Sequence, residues 1–163
     1  LHEQLREGHV QKIYLALVRG HWRDAKRVVK VPLQKHLLAN GERRVSVNDE
    51  GQAAHTIFRL RESWPRAEPP FSLLEAELKT GRTHQIRVHL AHLEFPIAGD
   101  DKYGDFELNK TLKKQMLRRM FLHAFRTRVS HPETGEVLQF EAQLPDELQK
   151  FLDYLKQHHA QTV

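Results

Sequence analysis

"FSLLEAELKTGRTHQIRVHL", residues 71–90, changes backbone geometry part of the way along. Over 71–79, Leu74, Ala76 and Leu78 alternate with Glu75, Glu77 and Lys79, the period of a half-buried strand. Gly81 permits a tight turn. Thr83 is then placed to cap a helix that runs to about Leu93. Pro96 blocks continuation, and Phe95 before it is pushed out of helical geometry. A strand that feeds a helix through a glycine turn leaves the junction side chain over the sheet edge. That side chain is Arg82.

Working outward, "QKIYLALVRGHW" (11–22) has Ile13, Leu15 and Leu17 alternating with Tyr14, Ala16 and Val18. Both faces are apolar, as in a strand buried on two sides. Residues 27–38 begin as a strand and meet a bend or edge at Pro32. Residues 43–63 predict a hairpin, with Asn48 to Gly51 as its turn and Ile57 to Leu60 returning. A proline-rich loop follows at 64–70. Beyond the opening stretch, 98–106 is a loop and 107–120 a helix, with Leu108, Leu112, Met116 and Met120 on one face. Residues 121–145 form a second hairpin about "HPETGE". Asp146 opens a closing helix that presents Leu148, Phe151, Leu152 and Leu155, and the tail from His158 frays. "LHEQLRE" at the start reads as the tail of a helix already under way, with Gly8 as its stop. The class expected is α+β, a mixed, mostly antiparallel sheet flanked by helices, in one domain.

The 26 Lys and Arg exceed the 21 Asp and Glu, and the pI is near 9.6. An anionic partner, most commonly nucleic acid, fits this balance, and so does a solvated basic surface. The basic residues cluster. Nine lie between Gln11 and Arg44 against Asp24 and Glu42, and seven lie between Lys110 and Arg128 with no acid. With Tyr14, Trp22 and Phe125 among them, these zones suit phosphate tracking with stacking groups. There is no cysteine, which excludes disulfides and thiolate metal sites. No stretch reaches the roughly 18 apolar residues of a membrane helix, and no signal peptide is visible. The cytoplasm is the default compartment.

Twelve histidines raise the question of a metal. On a helix, His84 and His89 point about 140° apart. His89 and His92 have workable spacing, but no third ligand is suitably placed, so no metal is expected. "GDDKYG" lacks the lysine and spacing of a phosphate loop, and no G-x-S-x-G elbow occurs. Asp100 and Asp101 have the character of turn caps. Arg82 is open to two readings: an anion or carboxylate partner at the helix start, or a structural ion pair to Glu75 or Glu77. His84 reads as a satisfied, half-buried histidine.

"TGRTHQIRVHL" followed by "FPIAGDDKYG", with "QKIYLALVRG" before and "FLHAFRTRVSHPETGEVLQFEAQLP" after, resembles the RluA-type pseudouridine synthases in order and spacing. The resemblance implies a cofactor-independent isomerase acting on uridine in large-subunit ribosomal RNA. Such enzymes break the N1–C1′ bond, turn the base and rejoin it through C5. It implies catalytic roles for Tyr14, which lies against the base, and for Arg82, which pairs with an aspartate acting on the ribose. Leu122 would border the base pocket, and Gln85 and Arg87, in the same motif, join it as substrate-binding residues. A base must leave its stack to be reached, so an aromatic face suits the role. An arginine keeps the carboxylate ionised.

The family's H-R-L-D-x-x-T-S-G segment, which carries the aspartate, does not occur in these 163 residues. By family order it belongs upstream of Leu1, with a small RNA-binding domain further upstream. The sequence is therefore expected to be the C-terminal part of a catalytic domain, inactive alone, with apolar sheet surface exposed. A non-catalytic RNA-binding module is the alternative. Gln143, Val129 and Phe95 are smaller departures from the family pattern.

Overall fold

The computed structural model describes residues 10–159. The helix expected at the N-terminus and the end of the tail lie outside these residues. Strand β1 (Val10–Arg19) is central, with β6 (Phe71–Leu78) paired on one side and β7 (Leu122–Ser130) on the other. β5 (Thr56–Trp64) joins β6, β2 (Lys26–Val29) joins β5, and β8 (Val137–Glu141) closes the far edge. The six-stranded sheet runs β2-β5-β6-β1-β7-β8, and every pairing in it is antiparallel. β3 (Leu33–Leu37) and β4 (Arg43–Val47) form a separate two-stranded sheet. The expected α+β class, a mostly antiparallel sheet flanked by helices, is the one observed, with no parallel pairing among the described strands of the main sheet.

Alternation along β1 and β6 supplies two cores. Ala16, Val18, Leu74 and Ala76 point to the face covered by α1 (Gln85–His92), where Ile86 and Leu90 pack. Leu17, Phe71 and Leu73 point to the opposite face, covered by α2 (Phe106–Lys114) and α3 (Asp146–His158). Leu112, Leu148, Phe151, Leu152 and Leu155 are all buried there, each contributing about 1.5–3 kcal/mol. Tyr14 shares the α1 face with Ala16 and Val18, as strand periodicity dictates.

Four expectations are corrected. The first hairpin does not form as predicted, because β4 pairs with β3 and β5 pairs with β2 and β6. The turn after Asn48 exists, but Gln52 bridges to Leu33 and the chain then crosses to the main sheet. β6 is not half-buried: it lies inside the sheet, and Glu77 is only 4% exposed. α2 ends at Lys114, well short of Met120. Met116 takes a left-handed φ of 71°, Leu117 N–H donates to Leu112 O, and Met116 N–H donates to Lys113 O. That is a Schellman stop with methionine where glycine is usual, so no residue type announced it. The fourth correction, at Thr83, concerns the site.

Candidate active site

α1 begins without a cap from Thr83. The N-cap is His84, in the left-handed conformation at φ 53°, with no side-chain cap bond. The turn is held instead by the buried amide of Gln85. Its Oε1 accepts from the Arg82 N–H (2.9 Å) and the Thr80 hydroxyl (2.7 Å). Its Nε2 donates to the His55 carbonyl (3.0 Å) and to Thr56 Oγ1 (2.8 Å). These bonds use both donors and both acceptor positions of the amide. The Thr56 hydroxyl, 2.9 Å from His89 Nδ1, donates to it, and His89 Nε2–H donates to the Val31 carbonyl at 2.8 Å. Burial pushes the His89 imidazole below its ordinary value, which keeps it neutral and matched to this pattern.

Arg82 emerges from this braced turn. Its Nε donates to the Ala53 carbonyl at 2.9 Å. Among the described residues no carboxylate lies within ion-pair distance of it. Glu75 pairs with Arg61, and Glu77 pairs with Arg59 and Lys79, so the structural ion pair weighed from the sequence does not form.

Arg87, one turn on, is differently occupied. It grips Asp100 in a fork, Nε to Oδ2 at 2.9 Å and Nη2 to Oδ1 at 2.7 Å. Asp100 Oδ1 also accepts the backbone N–H groups of Lys102 and Tyr103, the turn-capping job expected of it. Burial opposes ionisation of Asp100, but Arg87 and these amides outweigh it and hold the carboxyl below the usual range. The ordered loop brings the Tyr103 hydroxyl within 2.8 Å of His84 Nδ1. Burial, with Arg87 and Lys102 nearby, lowers the pKa of His84.

All five residues singled out from the sequence meet at one concavity of about 280 Å³. Tyr14, Arg82, Gln85, Arg87 and Leu122 line it, together with Leu78, His84, Ile86 and Met120. Tyr14, Leu78, Ile86, Met120 and Leu122 make an apolar wall, and Arg82 brings positive charge, whereas that of Arg87 is matched by Asp100. The volume is at the small end for ligand sites and suits a single nucleoside-sized group. Sequence reading missed Leu78 and Met120, whose signal was only their place at a strand end and before the L-H-A segment. Tyr103, which anchors His84, was likewise unmarked. Among the described residues no three His, Asp or Glu side chains converge as a metal site. No helix among them is long and apolar enough to cross a membrane.

Residues 1–92 match the family model for RNA pseudouridylate synthase. The chain is 48% identical over 157 residues to ribosomal large subunit pseudouridine synthase C of Pasteurella multocida, covering 96% of this chain and 47% of that protein. The protein of the same name from Escherichia coli K12 is 45% identical, with 96% of this chain and 48% of that one covered. The chain thus spans about half the length of the curated relatives it matches. The solved structure of human RNA pseudouridylate synthase domain containing 1 superposes with a TM-score of 0.74 at 26% identity, over 99% of this chain and 64% of that one. Human RNA pseudouridylate synthase domain containing 4, at 24% identity and a TM-score of 0.70, has the same fold.

Proposed function

This chain belongs to the RNA pseudouridylate synthase family, and from that premise we propose that it forms the C-terminal part of a site that isomerises uridine to pseudouridine in large-subunit ribosomal RNA. The observation that carries this reading is the convergence of Tyr14, Arg82, Gln85, Arg87 and Leu122 on one nucleoside-sized concavity. The everted uracil lies against Tyr14 and the apolar wall of Leu78, Ile86 and Leu122. Arg82 faces an aspartate carried on a segment preceding Leu1, keeping it ionised and aimed at the ribose. The N1–C1′ bond breaks, the base turns, C5 bonds to C1′, and the proton displaced from C5 is balanced by one gained at N1. Substrate and product are isomers, so no cofactor is required. Gln85 acts through the turn: with its amide fully engaged, it positions Arg82. Arg87 acts through Asp100, which orders the loop that brings Tyr103 to His84. A ribosomal RNA substrate supports a cytoplasmic location.

The test begins with the coding sequence upstream of Leu1, where an H-R-L-D-type segment is expected. The gene product carrying it should form pseudouridine in a large-subunit RNA fragment, detected by carbodiimide-dependent primer-extension stops. Arg82→Ala in that product should abolish turnover while leaving RNA affinity largely intact. A near-normal rate would remove Arg82 from the chemistry. Pseudouridine formation by these 163 residues alone would overturn the need for an upstream aspartate. A start codon at this point would favour a non-catalytic RNA-binding module.

A further inference from the structure

The basic run between Lys110 and Arg128 divides in the structure. Arg126 and Arg128 lie on β7 and are engaged by Glu141 and Gln139 of β8. Lys110 pairs with Glu107 within α2. Lys113, Arg118 and Arg119 are exposed, and among the described residues none has a carboxylate within ion-pair distance.

The backbone beneath these cations is pinned. The Schellman stop ends α2 beneath them. Glu147 Oε2 accepts the N–H of Arg118 at 2.6 Å and of Arg119 at 3.0 Å. Gly99 packs so close that a Cβ there would lie 2.5 Å from the Arg119 carbonyl oxygen. Phe121 N–H donates to Ala98 O. Lys113, Arg118 and Arg119 rim a concavity of about 240 Å³ in which Asp101 is the one acid. Met120 belongs to this concavity and also to the wall of the candidate active site, so the two adjoin.

We propose that Lys113, Arg118 and Arg119 form a phosphate-binding step that holds the RNA backbone beside the everted uridine. This rests on the reading that the neighbouring concavity takes a uridine. Turning a nucleotide out of its stack requires its flanking backbone to be held. Arginines suit phosphate oxygens because their planar fork donates two parallel hydrogen bonds. The braced backbone fixes where these side chains start, so less freedom is lost when a phosphate arrives. Continuity with the base cavity at Met120 favours a nucleic-acid strand over an acidic protein surface.

The test is fluorescence anisotropy of a fluorescein-labelled ribosomal RNA hairpin with a loop uridine, titrated with the 163-residue chain at several KCl concentrations. Each lost phosphate contact lowers the slope of log affinity against log salt by roughly 0.7–0.9. Lys113→Gln/Arg118→Gln/Arg119→Gln should therefore lower it by about 2–3 and weaken binding at least about tenfold at low salt. A charge-matched control outside both basic zones, Arg61→Gln/Arg66→Gln/Lys156→Gln, removes exposed cations on β5, the β5–β6 turn and α3 and should change the slope by less than about 1. Circular dichroism checks the fold, and Arg118→Gln alone, expected to lower the slope by roughly 0.7–0.9, serves if the triple variant misfolds. Equal effects of the two triple variants would reduce the patch to general charge and overturn the proposal. An unchanged patch variant against a wild-type chain that binds RNA would overturn it while leaving the uridine reading intact. A wild-type chain that does not bind the hairpin would overturn the phosphate-binding step, whereas the uridine reading is decided separately by pseudouridine formation in the longer gene product. Equal loss of binding to polyglutamate would mark a generic surface for acidic partners and also overturn it.

Discussion

Glu77 is a carboxylate inside a sheet, and the hydrogen bonds around it decide its charge. Burial opposes its ionisation, but Lys79, Arg59 and Gln11 outweigh burial and lower its pKa from the ordinary 4.5 to about 2. The unfolded chain therefore takes up a proton here before the native one does. The stabilisation is complete above about pH 4.5 and disappears as pH falls through about 2. It is worth on the order of 3 kcal/mol at neutral pH. Urea unfolding from about pH 6 downward should show this loss, and Glu77→Gln should remove that part of the pH dependence. An unchanged acid profile in the variant would mean that Glu77 is not the group responsible. At the same scale, Arg82 and Arg87 occupy one motif in opposite states. Arg87 is neutralised by Asp100, whereas Arg82 meets only a carbonyl. The motif alone gave no way to tell which arginine was committed, because Asp100 lies in a separate loop.

Among the elements, strands were more legible than helix ends. β1 and β6 announced themselves by alternation, and α3 by Leu148, Phe151, Leu152 and Leu155 at helical spacing. Strand partners were not legible in the same way. The turn at Asn48–Gly51 is local chemistry, but which strand receives β5 depends on Pro32 splitting β2 from β3. Helix α1 carries no sequence signature at its start, since Gln85 replaces a conventional cap with a side-chain amide that bonds in several directions. The five candidate site residues were legible as a set through their motifs. Their shared cavity was not, because Tyr14 and Leu122 reach it from strands far from residues 82–87. The end of α2 offers a direct measurement. Met116 is 65% exposed and left-handed, a conformation that costs a side chain roughly 1–2 kcal/mol. Met116→Gly should raise stability by up to about 1 kcal/mol, after the greater entropy lost by glycine is subtracted. A lowered thermal midpoint would show that the methionine side chain makes a contact that outweighs its strain.

For the molecule as a whole, the six-stranded sheet is buried at its centre and open at β8. Val137, Leu138 and Phe140 are each more than half exposed on this edge strand. An apolar edge with unpaired backbone is a template for another strand. Light scattering should therefore give a weight-average mass that rises with concentration, and Leu138→Lys/Phe140→Lys should suppress the rise. A monomeric mass independent of concentration would argue that β8 is adequately protected. The position of β1 has a consequence during synthesis. It is the first described strand, apolar on both faces, yet its partners β6 and β7 are encoded much later. At about 5–20 residues per second, the ribosome completes β7 roughly 5–20 s after β1. Throughout that interval the strand at the heart of the sheet has no partner on its β7 side, so nascent chains halted before Leu122 should be the species that chaperones bind most readily.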